Sequence, residues 1–377
     1  MMIKDQLTQI KTRLVEHSVK IQRHPYTPAA FFLGGFVFDI ITLSRIDSGA
    51  QIFQISAYML VLSFLVYWKV LFDHRLLNVP KKLERIWKHH DLMIQFAMGA
   101  MLSVYTLFFF KSASLVTSIV FMAFIAALLV MNEFIRLERH QLHLTLTLYF
   151  LCLACYWITL VPVFLGFIGF FAFVLALFST GLSAYLFHKL VQKRVSKTET
   201  PPQMALNIRK KITYPSGAVI LTLLIFYYFQ LIPPVPLSIQ YMGIFRDIKK
   251  QDGNYVLSYA RPIWRFWQNG DQTFYARPGD VIVAYVQIFA PERFKDQLMI
   301  RWKIKTPRGW ENQDAIPIQI SGGRADGFRG YTTKSNFQSG DYRVQVETTD
   351  GREVGRISLE IIADDSQEPR ELKQIVK

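Results

Sequence analysis

The amino-acid sequence predicts an α-helical transmembrane bundle of seven spans followed by an all-β, immunoglobulin-like sandwich. Three observations point there. The 377 residues are 51% hydrophobic and 15% aromatic, and the apolar surplus lies in the first 233. Apolar runs of bilayer-spanning length recur up to a proline-rich break, IPPVPL at 232–237. Beyond the break, apolar and polar residues alternate with period two, the pattern of half-buried strands.

Four parts follow: a cytoplasmic amphipathic segment at 1–28, a transmembrane domain at 29–233, an extracytoplasmic sandwich at 234–365 and a polar tail at 366–377. In the first, Ile3, Leu7, Ile10, Leu14 and Ile21 recur at helical spacing between Lys and Arg. Such a segment is expected to lie on the anionic inner leaflet, with a partner-binding helix as the alternative. It is too polar to be a cleavable signal peptide.

The seven spans are expected at 29–46, 52–72, 92–110, 115–134, 142–161, 167–187 and 218–232. A bilayer core asks for about 20 apolar residues per helix. The first span is interrupted by Asp39 and closed by Arg45, and proline ends the last. Lys and Arg number 5, 1, 6, 1, 2, 0 and 7 in the segment before the first span and in the six successive loops. The single cations of the sparse loops are Arg45 and Lys111. The positive-inside rule then puts the N-terminus in the cytoplasm and the C-terminal domain in the periplasm, for a multi-pass protein of the bacterial inner membrane.

The formal net charge of +15 is uneven. Residues 239–377 hold 21 basic and 18 acidic residues, so most of the surplus lies among the apolar runs. That placement suits anionic lipid headgroups. The soluble part has no basic stripe interleaved with stacking aromatics, so nucleic acid is not an expected partner. The two cysteines, Cys152 and Cys155, sit in an apolar run and are expected to be inert.

In the soluble part, Leu298, Ile300, Trp302 and Ile304 face one way, and Met299, Arg301, Lys303 and Lys305 the other. Tyr342, Val344 and Val346 repeat the pattern, as do Ile357, Leu359 and Ile361. Residues 281–289 are more continuously apolar, as in a central strand. Turn signals at 269–271, 278–280, 339–341 and 350–351 separate the runs. About eight short strands in this space suggest the immunoglobulin-like sandwich.

Within the stretch SGGRADGFRGYTTK, residues 321–334, the part 328–334 is expected to form a hairpin with 342–348 in which Arg329 faces Glu347. Gly322-Gly323 should make a sharp turn or bulge before it. The plain reading of these arginines is cross-strand pairing. The sharper one makes Arg324, Arg329, Tyr331 and Lys334 an anion- or glycan-binding surface, with Trp264, Trp267 and Trp310 as stacking platforms, though a structural role is the plainer reading of these tryptophans too. Trp302 belongs to the core by its alternation.

Runs such as VQIFAPERFKDQLMIRWKI and GDYRVQVETTDGREVGRISLEI resemble the bacterial family of domain of unknown function 2914, over residues 232–362. GGFVFDIITLSRID at 34–47 is similar to the membrane part of its longer members. The resemblance implies a polytopic bacterial membrane protein with a C-terminal domain of this type. It implies no activity and supplies no catalytic residues.

All eight histidines fall on the expected cytoplasmic side. His74, His89, His90, His140 and His143 have carboxylates nearby and could hold a divalent ion, though interfacial histidines without metal are the plainer reading. Asp39, the acid well inside a span, should face the bundle and find a partner. No phosphate-cradling loop, nucleophile elbow or catalytic triad is visible, so no cofactor and no catalytic residue is expected. The expected role is a non-enzymatic envelope scaffold that binds a glycan, a lipid headgroup or another envelope protein. The rival is a transporter or enzyme acting in the bundle around Asp39 and the histidines.

Overall fold

The computed structural model describes residues 45–76, 84–87, 89–114, 117–134, 142–198, 201–324 and 326–377, with 37 and 41. The amphipathic segment 1–28, Asp39 and His140 lie outside the described residues, as does nearly all of the expected first span at 29–46. The helices are α1 (Gly49–Asp73), α2 (Glu84–Trp87), α3 (His90–Ser112), α4 (Ile119–Phe134), α5 (Leu142–Leu165), α6 (Phe170–Val195) and α7 (Pro202–Tyr228).

Seven spans are not what the described residues contain. Five helices, α1, α3, α5, α6 and α7, are long and apolar enough to cross a membrane, and α4 holds a shorter apolar helix over Ile119–Asn132. The last expected span is too short. The basic segment before it is helical, and Pro202 opens α7 in the first turn, where a missing N–H costs nothing. Pro215 is carried inside this helix. A hydropathy reading stops at charge, whereas the backbone continues past it. At the start of α1, Ser48 accepts the Gln51 N–H at 3.2 Å and caps the helix.

The strands are β1 (Ser238–Phe245), β2 (Asp247–Gln251), β3 (Asn254–Tyr259), β4 (Thr273–Ala276), β5 (Ile282–Phe289), β6 (Lys295–Thr306), β7 (Gly309–Ser321), β8 (Phe328–Lys334), β9 (Gly340–Thr348), β10 (Glu353–Ala363) and β11 (Lys373–Val376). They form three sheets, in the orders β1-β5-β8, β4-β10-β9-β6-β7 and β11-β3-β2. The first two make the sandwich. Leu298, Ile300 and Trp302 are buried as their alternation requires, against Ile282, Ala284 and Val286 of β5 and Tyr342, Val344 and Val346 of β9. The third sheet adds a layer on the other side of β5. Val283 and Tyr285 are buried with Phe245 and Leu257. Strand β5 is therefore covered on both faces, which explains its continuous apolar run. The stretch read as a polar tail contains β11, which pairs with β3.

The expected hairpin of 328–334 with 342–348 does not form. Strand β8 pairs with β5, where Arg329 faces Gln287, and β9 pairs with β6 and β10. The connection between β8 and β9 crosses from one sheet to the other. Thr332 and Tyr342 do share an apolar side, but across the sandwich core rather than along one sheet. Glu347 is paired instead by Arg301 at 2.6 Å and Lys303 at 3.3 Å.

The sandwich is seated on the ends of the helices. Lys295 N–H donates to Gly166 O at 2.8 Å, and Asp296 accepts the Ile168 N–H at 2.9 Å, both at the α5–α6 turn. Gly166 has φ +76, and a Cβ there would lie 2.6 Å from the Arg293 carbonyl oxygen, so the turn needs glycine. Tyr227, in the last turn of α7, donates to Asp350. Ser114, beyond α3, donates to Glu353. Glu292 N–H donates to Asp47, just before α1, at 3.0 Å.

Candidate ligand-binding surface

The residues of 321–334 are not gathered into one surface. Strand parity turns Lys334 towards the core, where it is 3% exposed and pairs with Asp314 at 2.5 Å. Arg329 donates to Gly253 O, Asn254 Oδ1 and Lys377 O at 3.2–3.3 Å, and so ties β8 to the β2–β3 turn and the chain end. Tyr331 is exposed and meets Tyr255 edge to face at 6.0 Å. Arg324 is exposed on the loop after Gly322-Gly323. The turn expected there is present. Gly323 has φ +90, and a Cβ on Gly322 would lie 1.6 Å from the Pro291 carbonyl oxygen.

The three tryptophans are a different matter. Residues 261–270 form a loop between β3 and β4 whose neck is locked. Asp271 accepts the Ala260 N–H at 3.0 Å and is paired with Arg246 at 2.8 Å. Arg261 donates to the carbonyls of Arg265 and Gln268 within the loop. On this base the tip holds large apolar side chains in water: Ile263 is 81% exposed, Trp264 60%, Phe266 79% and Trp267 61%. Trp267 packs edge to face on Trp264 at 5.8 Å and on Phe266 at 5.3 Å, and Arg265 lies 4.7 Å over the Trp264 ring. A contiguous exposed apolar patch on an ordered loop is the ordinary mark of a binding surface.

Beside the loop runs a groove of about 390 Å³. Its lining includes Gln268 and Gln272 from the loop end, Trp310, Asp341, Ser358 and Glu360. Gln272 donates to Ser358 O at 3.0 Å and fastens the loop to β10. Trp310 stacks on Arg343, whose guanidinium carbon lies 4.0 Å from the ring centre. Burial lowers the pKa of Arg343, with Arg356 adding to the effect, and its Nε–H is buried without a hydrogen-bond partner among the described residues. An aromatic platform beside amide, hydroxyl and carboxylate groups suits a ligand with an apolar face and many hydroxyls. The loop sits away from the helices. Gly270 bridges Ile244, six residues along β1 from Ser238, or about 20 Å of strand.

The sequence singled out Trp264, Trp267 and Trp310 as candidates beside their plainer structural reading, and gave no notice of Ile263, Phe266 or the polar lining of the groove. The run IWRFW, which has no period-two alternation and precedes the Asn-Gly turn, was the available signal for the loop. Gln268 and Gln272 of the loop meet Ser358 and Glu360 of β10 only in the tertiary structure and had none.

At the far ends of the helices, Lys69 is buried between Asp91 at 2.7 Å and Asp73 at 3.5 Å. His90 stacks on Trp87 at 4.5 Å and lies 3.3 Å from Asp91. His74 bonds Val70 O at 2.8 Å, while His89 and His143 are exposed. Among the described residues, no three His, Cys, Asp or Glu side chains are grouped to hold a metal. Cys152 and Cys155 are free, buried thiols.

A helical unit of membrane character carrying an all-β domain is the class that fold and surface define. Residues 295–361 match the family described as Protein of unknown function (DUF2914), the family expected from the sequence. No curated protein matches the chain. Among solved structures, an immunoglobulin-like protein from Pseudomonas aeruginosa is 14% identical, over 34% of this chain and 98% of that one, with a TM-score of 0.21. A β-glucosidase from Listeria innocua in complex with glucose is 12% identical, over 29% and 16%, with a TM-score of 0.18. An alkylpurine DNA glycosylase from Pseudomonas fluorescens, bound to DNA containing an abasic site analog, is 9% identical, over 76% and 83%, with a TM-score of 0.22. Likenesses this low say nothing of what the chain does.

Proposed function

We propose that the protein is a non-enzymatic binding protein of the bacterial envelope, held in the inner membrane by its helices, with the sandwich in the periplasm and a glycan as the ligand of the Trp310 groove. The observation that carries this reading is the aromatic tip at 263–267 beside a groove of amide, hydroxyl and carboxylate side chains. Trp267 and Trp310 would stack on the apolar faces of sugar rings, and Gln268, Gln272, Asp341, Ser358 and Glu360 would bond their hydroxyls. The position of the loop, about 20 Å along β1 from the helices, favours a ligand beyond the bilayer over a membrane-surface role. The orientation rests on charge. The helix ends that meet the sandwich carry Arg45 and Lys111, whereas the opposite ends and loops carry the many other cations.

The test uses the full chain in nanodiscs, titrated with oligosaccharides released from bacterial envelope fractions and read by tryptophan fluorescence. One fraction should saturate the signal. Trp310→Ala and Trp267→Ala should each weaken binding by about tenfold or more, the size expected of aromatic anchors at an interface. The reading fails if no saccharide changes the signal, or if both variants bind like the parent.

A further inference from the structure

A cavity of about 290 Å³ lies where the helices meet the sandwich. Separate parts of the chain build it. Arg45 comes from the segment before α1, Phe108 and Lys111 from the last turn of α3, Ser238 and Gln240 from the start of β1, and Phe289 from the end of β5. Arg45 and Lys111 are the two cations of the loops that the charge pattern otherwise keeps bare. They are far apart in sequence, yet they line the same cavity.

Their charges are not balanced locally. Arg45 pairs with Asp47 at 3.0 Å, and its guanidinium carbon lies 5.1 Å from the centre of the Phe289 ring. Asp47 also accepts the Glu292 N–H, so its carboxylate is shared with the backbone. Lys111 has no carboxylate partner among the described residues. Two cations against one carboxylate leave a net positive charge beside hydroxyl and amide groups that can donate to an anion. Phe108 and Phe289 form an apolar wall, and Phe110 in the same helical turn is exposed. Polar donors at the end of a membrane-type helix, with an apolar wall beneath, match an amphiphile whose anionic group sits at the bilayer surface.

We propose that this junction cavity binds the phosphate group of an anionic phospholipid in the leaflet facing the sandwich, with Arg45 and Lys111 as its cationic ligands and Ser238 and Gln240 as hydrogen-bonding groups. A bound lipid would then join helices and sandwich by bridging α3, β1 and the segment before α1. The inference does not depend on the glycan reading, since the Trp310 groove is a separate site.

The experiment is native mass spectrometry of the full chain after exchange into neutral detergent containing phosphatidylglycerol or phosphatidylcholine. A second arm adds inorganic phosphate instead of lipid. The parent should retain phosphatidylglycerol over phosphatidylcholine, and Lys111→Gln should lower that retention about tenfold. Lys111→Gln removes no ion pair found among the described residues, so its fold should survive. Arg45→Gln is the harsher second variant. Lys193→Gln, in the last turn of α6 at the opposite end, controls for loss of bulk charge and should retain lipid like the parent. Equal retention by the parent and Lys111→Gln would overturn the site. Binding of inorganic phosphate with no preference for phosphatidylglycerol would overturn the lipid as its source.

Discussion

Trp302 shows how one residue serves both layers of the sandwich. Its ring is fully buried, and its Nε1–H donates to Thr332 Oγ1 at 3.1 Å across the core. A buried donor left without an acceptor costs about 1–3 kcal/mol. Thr332→Val keeps the shape and removes the acceptor, so it should destabilise the sandwich by about that amount. Denaturant unfolding of the full chain followed by tryptophan fluorescence would measure this, and an unchanged midpoint would refute it. The parity that buries Trp302 was legible in residues 298–304 alone. The partner was not, because Thr332 lies thirty residues away on a strand of the other sheet. Lys334 teaches the same point. Its charge suggested solvent, but its strand position buries it and Asp314 neutralises it.

At the scale of elements, alternation reported which side of a strand is apolar but not which strand lies beside it. Strand β8 was therefore assigned the right face and the wrong neighbour. The central place of β5 was anticipated from its apolar run, and the structure shows why the run is so apolar, since neither face of the strand is left to water. The sheet that supplies its second cover, β11-β3-β2, was not anticipated, because short strands with charged ends resemble loop and tail. The α5–α6 turn is one of the places where the helices meet the sandwich, through the Lys295 and Ile168 amides. Gly166→Ala would place a Cβ against the Arg293 carbonyl in a backbone conformation that only glycine adopts freely. Hydrogen exchange at the Lys295 amide, which donates to Gly166 O, should rise at least tenfold in that variant. Unchanged protection would show that the turn does not set the docking.

For the whole molecule, the second anchor is polar. Asp350 is held by Arg352 at 3.0 Å and by the hydroxyls of Thr348 and Tyr227. Burial alone would raise this carboxyl, but Arg352 and these hydrogen bonds outweigh it and hold the pKa below the usual carboxylate range. A carboxylate depressed on folding contributes stability above its unfolded pKa, about 3.9, and loses it as pH falls through the lower folded value. The seat of α7 on the sandwich should therefore loosen below about pH 4. Exchange rates at 348–352, corrected for intrinsic pH dependence, should show that step in the parent and a much smaller one in Asp350→Asn. The same step in both would remove Asp350 from the anchor.

By itself the sequence determined the order of the two parts, the membrane character of the first and the strand faces of the second. Each of these follows from local composition or a short period, set by hydrophobic burial along one helix or one strand. Only the tertiary structure decided the strand partners, the third sheet, the locked neck beneath the aromatic loop, and the meeting of Arg45 with Lys111. Those depend on contacts between residues tens to hundreds of positions apart. Their energy comes from packing and pairing that no local window contains.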